Sequence, residues 1–148
     1  MTVPQTTLDA LTTAAAAAAD KLGTHIVAFD VAERLGLTDA FLIASGASER
    51  QVNAIVDGVE EALLKDEQLK PLRREGTREG RWALLDYNEL VVHVQHVDER
   101  DYYSLDRLWK DCPVVEIEGV ESSRRSADDA GNADDSLAPE EPQRDQEL

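Results

Sequence analysis

An apolar run gives way to a charged, periodic segment at Ser45-Gly46-Ala47-Ser48, between DAFLIAS (Asp39–Ser45) and ERQVNAIVDGVEEALL. A serine at such a strand-to-helix turn can attack a carbonyl, help cradle a phosphate, or cap the helix. Attack needs a G-x-S-x-G elbow, whose flanking glycines let the strained turn form. Here one glycine is present, and the later histidines offer no evident base: His93 alternates with valines inside a strand-like segment. Phosphate binding would use the exposed amides of a helix start, but no G-x-x-x-x-G-K-[ST] string exists. A nucleotidyltransferase would add an Asp-x-Asp pair on the following strand to hold magnesium. Asp57 and Glu60 lie instead on the helix, and the next strands carry single acids. What fits is the spacing of Ser48 and Gln51, that of a capping box in which hydroxyl and amide side chains satisfy each other's backbone N–H groups. The serine is read as architecture and the chain as a non-enzyme, with no catalytic, metal or cofactor residue assigned.

His93 and His96 do not make a metal site either. Positions three apart on a strand point to opposite faces, and neither H-E-x-x-H nor a C-x-x-C pair is present for zinc. One half-buried and one exposed histidine are expected.

The elements that carry these residues follow from periodicity. Leu8, Leu11, Ala15, Ala18 and Leu22 predict a helix capped by Thr6 or Thr7 and stopped by Gly23. His25–Val31 is rich in β-branched and aromatic residues and reads as a strand. The chain then bends back through Gly36, and Asp39–Ser45 is a strand covered on both faces. Val52, Ile55, Val56, Val59 and Leu63 form one stripe of a long helix. Pro71–Glu75 is a short edge strand. RWALLDYNELVVHVQHV is a hairpin turning at Tyr87-Asn88, where Asn tolerates the positive φ of a tight turn. DERDYYSLDRLW is a last helix with Asp98 as cap, barred from continuing by Pro113. The order helix, strand, strand, helix, weak strand, strand, strand, helix predicts an α/β (α+β) fold, a mixed sheet with helices packed on it.

From about Gly119 the composition shifts to Ser, Asp, Glu, Pro, Gly and Ala, too poor in large apolar residues to offset the entropy of ordering. Residues 1–118 are therefore read as the domain and 119–148 as a disordered acidic tail. The 148 residues carry a net charge of -16, from 31 acidic and 15 basic side chains. Nine acids against three arginines leave -6 in the tail and -10 in the body. That balance argues against duplex nucleic acid and suits a basic partner such as a ribosomal protein. Cys112 is the only cysteine, so no internal disulfide forms. The N-terminus lacks a basic n-region and a span-length apolar run, and a cytoplasmic protein is expected.

Two surface features remain. Lys65, Lys70, Arg73, Arg74, Arg78 and Arg81 form a basic run that either solvates a loop beside an edge strand or contacts RNA. Trp82, Tyr87, Tyr102, Tyr103 and Trp109 are all of the chain's tryptophan and tyrosine, gathered in 28 residues. Tyr102, Leu105 and Trp109 should share one helix face. Aromatic residues of this kind either fill the core of a small domain or anchor a protein interface.

The strings LTDAFLIASGASERQV, RWALLDY, LVVHV and RDYYSLDRLW occur in this order over about Leu8–Trp109. Together they resemble the Iojap-related ribosomal silencing factor family. That resemblance implies a nucleotidyltransferase-like topology without its catalytic residues. It also implies binding to the large (50S) ribosomal subunit through ribosomal protein fourteen, with the joining of the small subunit blocked when nutrients are scarce. Free members are homodimers. Carried over, the contact residues are Trp82, Leu84, Asp86, Tyr102, Tyr103, Leu105, Asp106, Leu108 and Trp109, and His93 matches the family's strand histidine. Asp86 and Asp106 would then meet a basic protein, with a minor contact to ribosomal RNA left open for the basic run. The competing readings are a diverged nucleotidyltransferase-like enzyme and an RNA-binding module.

Overall fold

A computed structural model describes residues 3–103 and 105–117. The expected acidic tail, 119–148, lies outside the described residues. Five strands form one mixed sheet in the order β1-β2-β5-β4-β3: β1 Thr24–Asp30, β2 Ala40–Gly46, β3 Arg73–Glu75, β4 Trp82–Asp86 and β5 Leu90–His96. Only β2 and β5 run parallel. The connection between these parallel neighbours includes the long helix α3, Glu49–Glu67.

Helices α1 (Gln5–Asp20) and α3 pack together on one face of the sheet. Their contact relies on size: Ala10, Ala14, Ala15 and Ala18 of α1 are buried against Val52, Ile55, Val56, Val59 and Leu63 of α3, the stripe predicted from spacing. Small side chains let the two backbones approach closely while both cover Ala28, Leu42, Val92 and Val94. Tyr87 is buried on this same side. The opposite face holds a second apolar cluster of Val27, Phe29, Val31, Phe41, Ile43 and Val91. Among the described residues no long helix covers it. Instead it meets Leu105 of α5 (Leu105–Leu108), Trp109 and Cys112. Among the described residues no helix is long and apolar enough to cross a membrane.

The element ends correct several expectations. α1 begins at Gln5 behind Pro4, with no side-chain cap; Thr7 donates instead to Asp39 Oδ2 at 3.1 Å. Leu22, not Gly23, takes the left-handed conformation after α1, with φ 65°. Gly23 is required for a different reason, because a Cβ there would lie 2.9 Å from the Ala18 carbonyl oxygen. The bend at residues 32–36 contains a one-turn helix, α2 (Ala32–Leu35), closed by Gly36 at φ 79°. The hairpin turns at Asn88, φ 77°, as its sequence requires. The C-terminal helix starts at Val97 as α4 (Val97–Tyr103), directly after β5, so Asp98 is not its cap: the Asp98 amide donates to the ring Nδ1 of His96. Beyond Pro113 the chain runs along the outer edge of β1. The Asp30 amide donates to the Pro113 carbonyl and Val115 donates to Ala28, covering part of an edge that would otherwise template aggregation.

The capping box at α3 does more than close one helix. The Gln51 amide donates to Ser48 Oγ at 3.0 Å, while Gln51 Oε1 accepts from the Ala47 amide. Gln51 Nε2 also donates to the carbonyls of Lys21 and Leu22, tying the end of α1 to the start of α3. Ser48→Ala is expected to cost about 1 kcal/mol, the usual value of a cap. Gln51→Ala should cost more, about 2 kcal/mol, because it frees the Lys21 and Leu22 carbonyls just past α1 as well. Urea unfolding checks the order of the two.

Candidate functional site

Ser45, next to last in β2, is fully buried, and its hydroxyl is engaged. Arg100 Nη1 donates to Ser45 Oγ at 2.7 Å, and Arg100 Nε and Nη2 grip Asp106 Oδ1 and Oδ2 at 2.7 and 2.9 Å. Arg100 is 2% exposed and Asp106 3%. A guanidinium removed from water is tolerated only with its charge matched and its donors bonded, and this two-pronged geometry supplies both. Ser45 thus orients a structural ion pair, and Ser48 caps a helix. Among the described residues no three His, Cys, Asp or Glu side chains gather as a metal site. His93 is buried, as is most of the His96 ring, so the expected exposed histidine is not found.

The second sheet face gathers most of the residues singled out by sequence. Trp82, Leu84 and Asp86 alternate along β4 and pair in register with Gln95, His93 and Val91 of β5. The Trp82 indole N–H donates to His93 Nδ1 at 3.3 Å. The His93 ring meets Phe41 edge-on at 4.8 Å, and Phe41 meets Trp109 edge-on at 5.0 Å. Arg34 of α2 lies over the Trp109 ring, 5.0 Å from its centroid, a favourable cation–π placement. Trp82, Leu84 and Trp109 are half-buried, packed at the rim of the second cluster. Tyr102 and Leu108 project from the helices at 81% and 58% exposure.

Other predicted members take different places. Tyr102 does not share a buried face with Leu105 and Trp109; it points outward while those two pack inward. Leu105 and Asp106 are interior, so Asp106 holds the surface from below rather than offering a charge to a partner. Asp86 is half-buried and faces Arg73 at 3.4 Å. The side chain of Tyr103 lies outside the described residues. Tyr87 belongs to the opposite side of the sheet. Phe41, Arg34 and Arg100 were not singled out by sequence. Phe41 alternates with Ile43 on β2, a usable signal, whereas the positions of Arg34 and Arg100 depend on the tertiary fold alone.

Charge on the surface is broken up. Arg74 pairs with Glu60 at 3.1 Å, Arg73 with Glu75 and Asp86, and Arg81 with Glu99 at 2.6 Å. Half of the basic run is therefore matched by nearby carboxylates, which favours the solvated-edge reading over an RNA groove. Within the aromatic face, burial and then the nearby Arg100 charge push the His93 pKa down to about 4. Burial and Glu60 push the Tyr87 hydroxyl up to about 12.

Comparison with known proteins gives four consistent findings. Residues 4–141 match the family model described as ribosomal silencing factor during starvation. A protein of Halalkalibacterium halodurans named ribosomal silencing factor RsfS is 42% identical over 101 residues, spanning 68% of this chain and 86% of its own. Its namesake from Bacillus subtilis is 39% identical over 105 residues, covering 71% and 88%. A crystal structure from Bacillus halodurans is 37% identical, with TM-score 0.64, covering 77% of this chain and all of its own.

Two outcomes follow. A histidine whose folded pKa is depressed contributes stability that is complete above its unfolded value near 6.5 and is lost as pH falls toward 4. Wild type should lose roughly 3 kcal/mol more than His93→Phe across that window, read by urea unfolding at stepped pH. Asp106→Asn leaves the buried guanidinium without a counter-charge and should cost about 3–5 kcal/mol in the same measurement at neutral pH.

Proposed function

This chain belongs to the ribosomal silencing factor family, and we propose that it represses translation by occupying the large ribosomal subunit. The partner is ribosomal protein fourteen, on the face that receives the small subunit, and repression under nutrient limitation is steric. No bond is made or broken. In the free state the chain is a homodimer.

The observation that carries this reading is the aromatic rim on the side of the sheet that, among the described residues, only short helices and loop segments cover. Trp82, Trp109, Tyr102 and Leu108 lie on or beside this face, and the Trp82 and Trp109 rings are held by His93 and Phe41. Tryptophan and tyrosine on rigid elements are what dominate protein interfaces energetically, because they bury large area with little ordering cost. The net charge of -16 adds long-range attraction to a basic ribosomal protein, which accelerates encounter more than it strengthens the final complex. Against an enzyme stands the engagement of Ser45 with Arg100, which leaves the strand-end hydroxyl no free role.

Co-sedimentation with purified large subunits tests the assignment. Trp82→Ala and Trp109→Ala are expected to weaken binding by about 2 kcal/mol or more. Leu108→Ala should do so by about 1 kcal/mol, and none of the three should unfold the protein, as circular dichroism will report. Normal binding by all three folded variants would remove this face from the interaction.

A further inference from the structure

We propose that His93 is the positioning residue of this surface: its ring nitrogen fixes the Trp82 indole, so that a partner meets the carbon edge of that ring. The inference rests on the docking role given above to Trp82.

Three observations carry it. First, Trp82 and His93 sit diagonally on neighbouring strands, with Leu84 directly opposite His93, and the rings are tilted by 48° with centroids 6.3 Å apart. Trp82 can only donate through its nitrogen, so His93 Nδ1 accepts and the imidazole hydrogen resides on Nε2. Second, that Nε2 is buried and has no hydrogen-bond partner among the described residues. A buried unpaired donor is unfavourable, and leucine or phenylalanine at this place would avoid it. Core stability therefore does not account for a histidine here; the acceptor it offers Trp82 does. Third, the same ring contacts Phe41, and Phe41 contacts Trp109, so one residue touches the seating of both tryptophans.

A consequence for recognition is specific. With the indole N–H directed inward to His93, the partner needs no acceptor opposite Trp82. The complementary patch is aliphatic or proline-like, recognised by shape.

Two substitutions separate positioning from packing. His93→Phe keeps a ring and removes the acceptor, whereas His93→Asn places an amide oxygen near the Nδ1 position. In proton–nitrogen correlation spectra of the free protein, the Trp82 indole signal is assigned by its loss in Trp82→Phe. In wild type and His93→Asn its proton should exchange slowly with water, and in His93→Phe it should exchange faster and shift upfield. Affinity for large subunits should fall about tenfold in His93→Phe and recover to within about threefold in His93→Asn, while His93→Phe is no less stable in urea at neutral pH. An indole signal indifferent to both changes, or equal losses of affinity in both, overturns the inference. Should wild type itself not bind large subunits, the docking role fails, and the indole signal still decides whether His93 holds Trp82.

Discussion

The Arg100 guanidinium, sealed beneath the C-terminal helices and shared between Asp106 and Ser45, is the constraint on which the second face depends. It links three places: the end of β2, α4 and α5. α4 spans seven residues and α5 four. Helices this short are unstable alone in water, because the first turn fixes several residues for one hydrogen bond. Tertiary contacts must hold them. An arginine with all three donor nitrogens engaged allows one angle of approach to the sheet, and that angle sets where Leu105 packs and where Trp109 meets Phe41. Burial, and after it this same charge, lowers the basicity of His93, so that the neutral imidazole can accept from Trp82. Two rings of this face thus depend on one buried ion pair.

The remaining architecture divides labour between the two sides of the sheet. One side is closed by two long helices whose alanine-rich contact gives a continuous core. That closure supplies stability, so the other side is released from being fully covered. A single sheet with helices on only one side normally exposes a large apolar surface, which in soluble proteins marks an interaction site or a liability to aggregate. Here the exposure is limited. Short helices, the one-turn α2 with Arg34 over Trp109, and the Val114 segment along β1 cover its margins. What stays open is a small aromatic patch on rigid supports, with the Trp82 indole nitrogen turned inward to His93.

Much of this was legible in the chain, and the misses have a common cause. The α3 stripe, its Ser48–Gln51 cap and the Asn88 turn arise from interactions within a few residues, which periodicity and turn chemistry report directly. The aromatic grouping was visible as composition, and the family resemblance pointed to Trp82, Leu84 and Asp86, which alternate along β4. The failures were long-range. Thr7 reaches Asp39 instead of capping α1, and His96 displaces Asp98 as the acceptor at α4. Asp106, which reads as a surface acid beside a tryptophan, is buried because Arg100 arrives from six residues away with Ser45 behind it. Arg34 reaches Trp109 across 75 positions, and nothing local announces that meeting. Sequence located the rings but not the charges that seat them.

The central claim is that this molecule is a passive obstacle, acting by covering a docking face. Light scattering of purified ribosomal subunits mixed with and without the protein tests it most directly. The account predicts that joining is suppressed in proportion to the fraction of large subunits occupied, and that saturating protein added before the small subunit abolishes it. Large subunits fully occupied by the protein yet joining small subunits at the unhindered rate would contradict it.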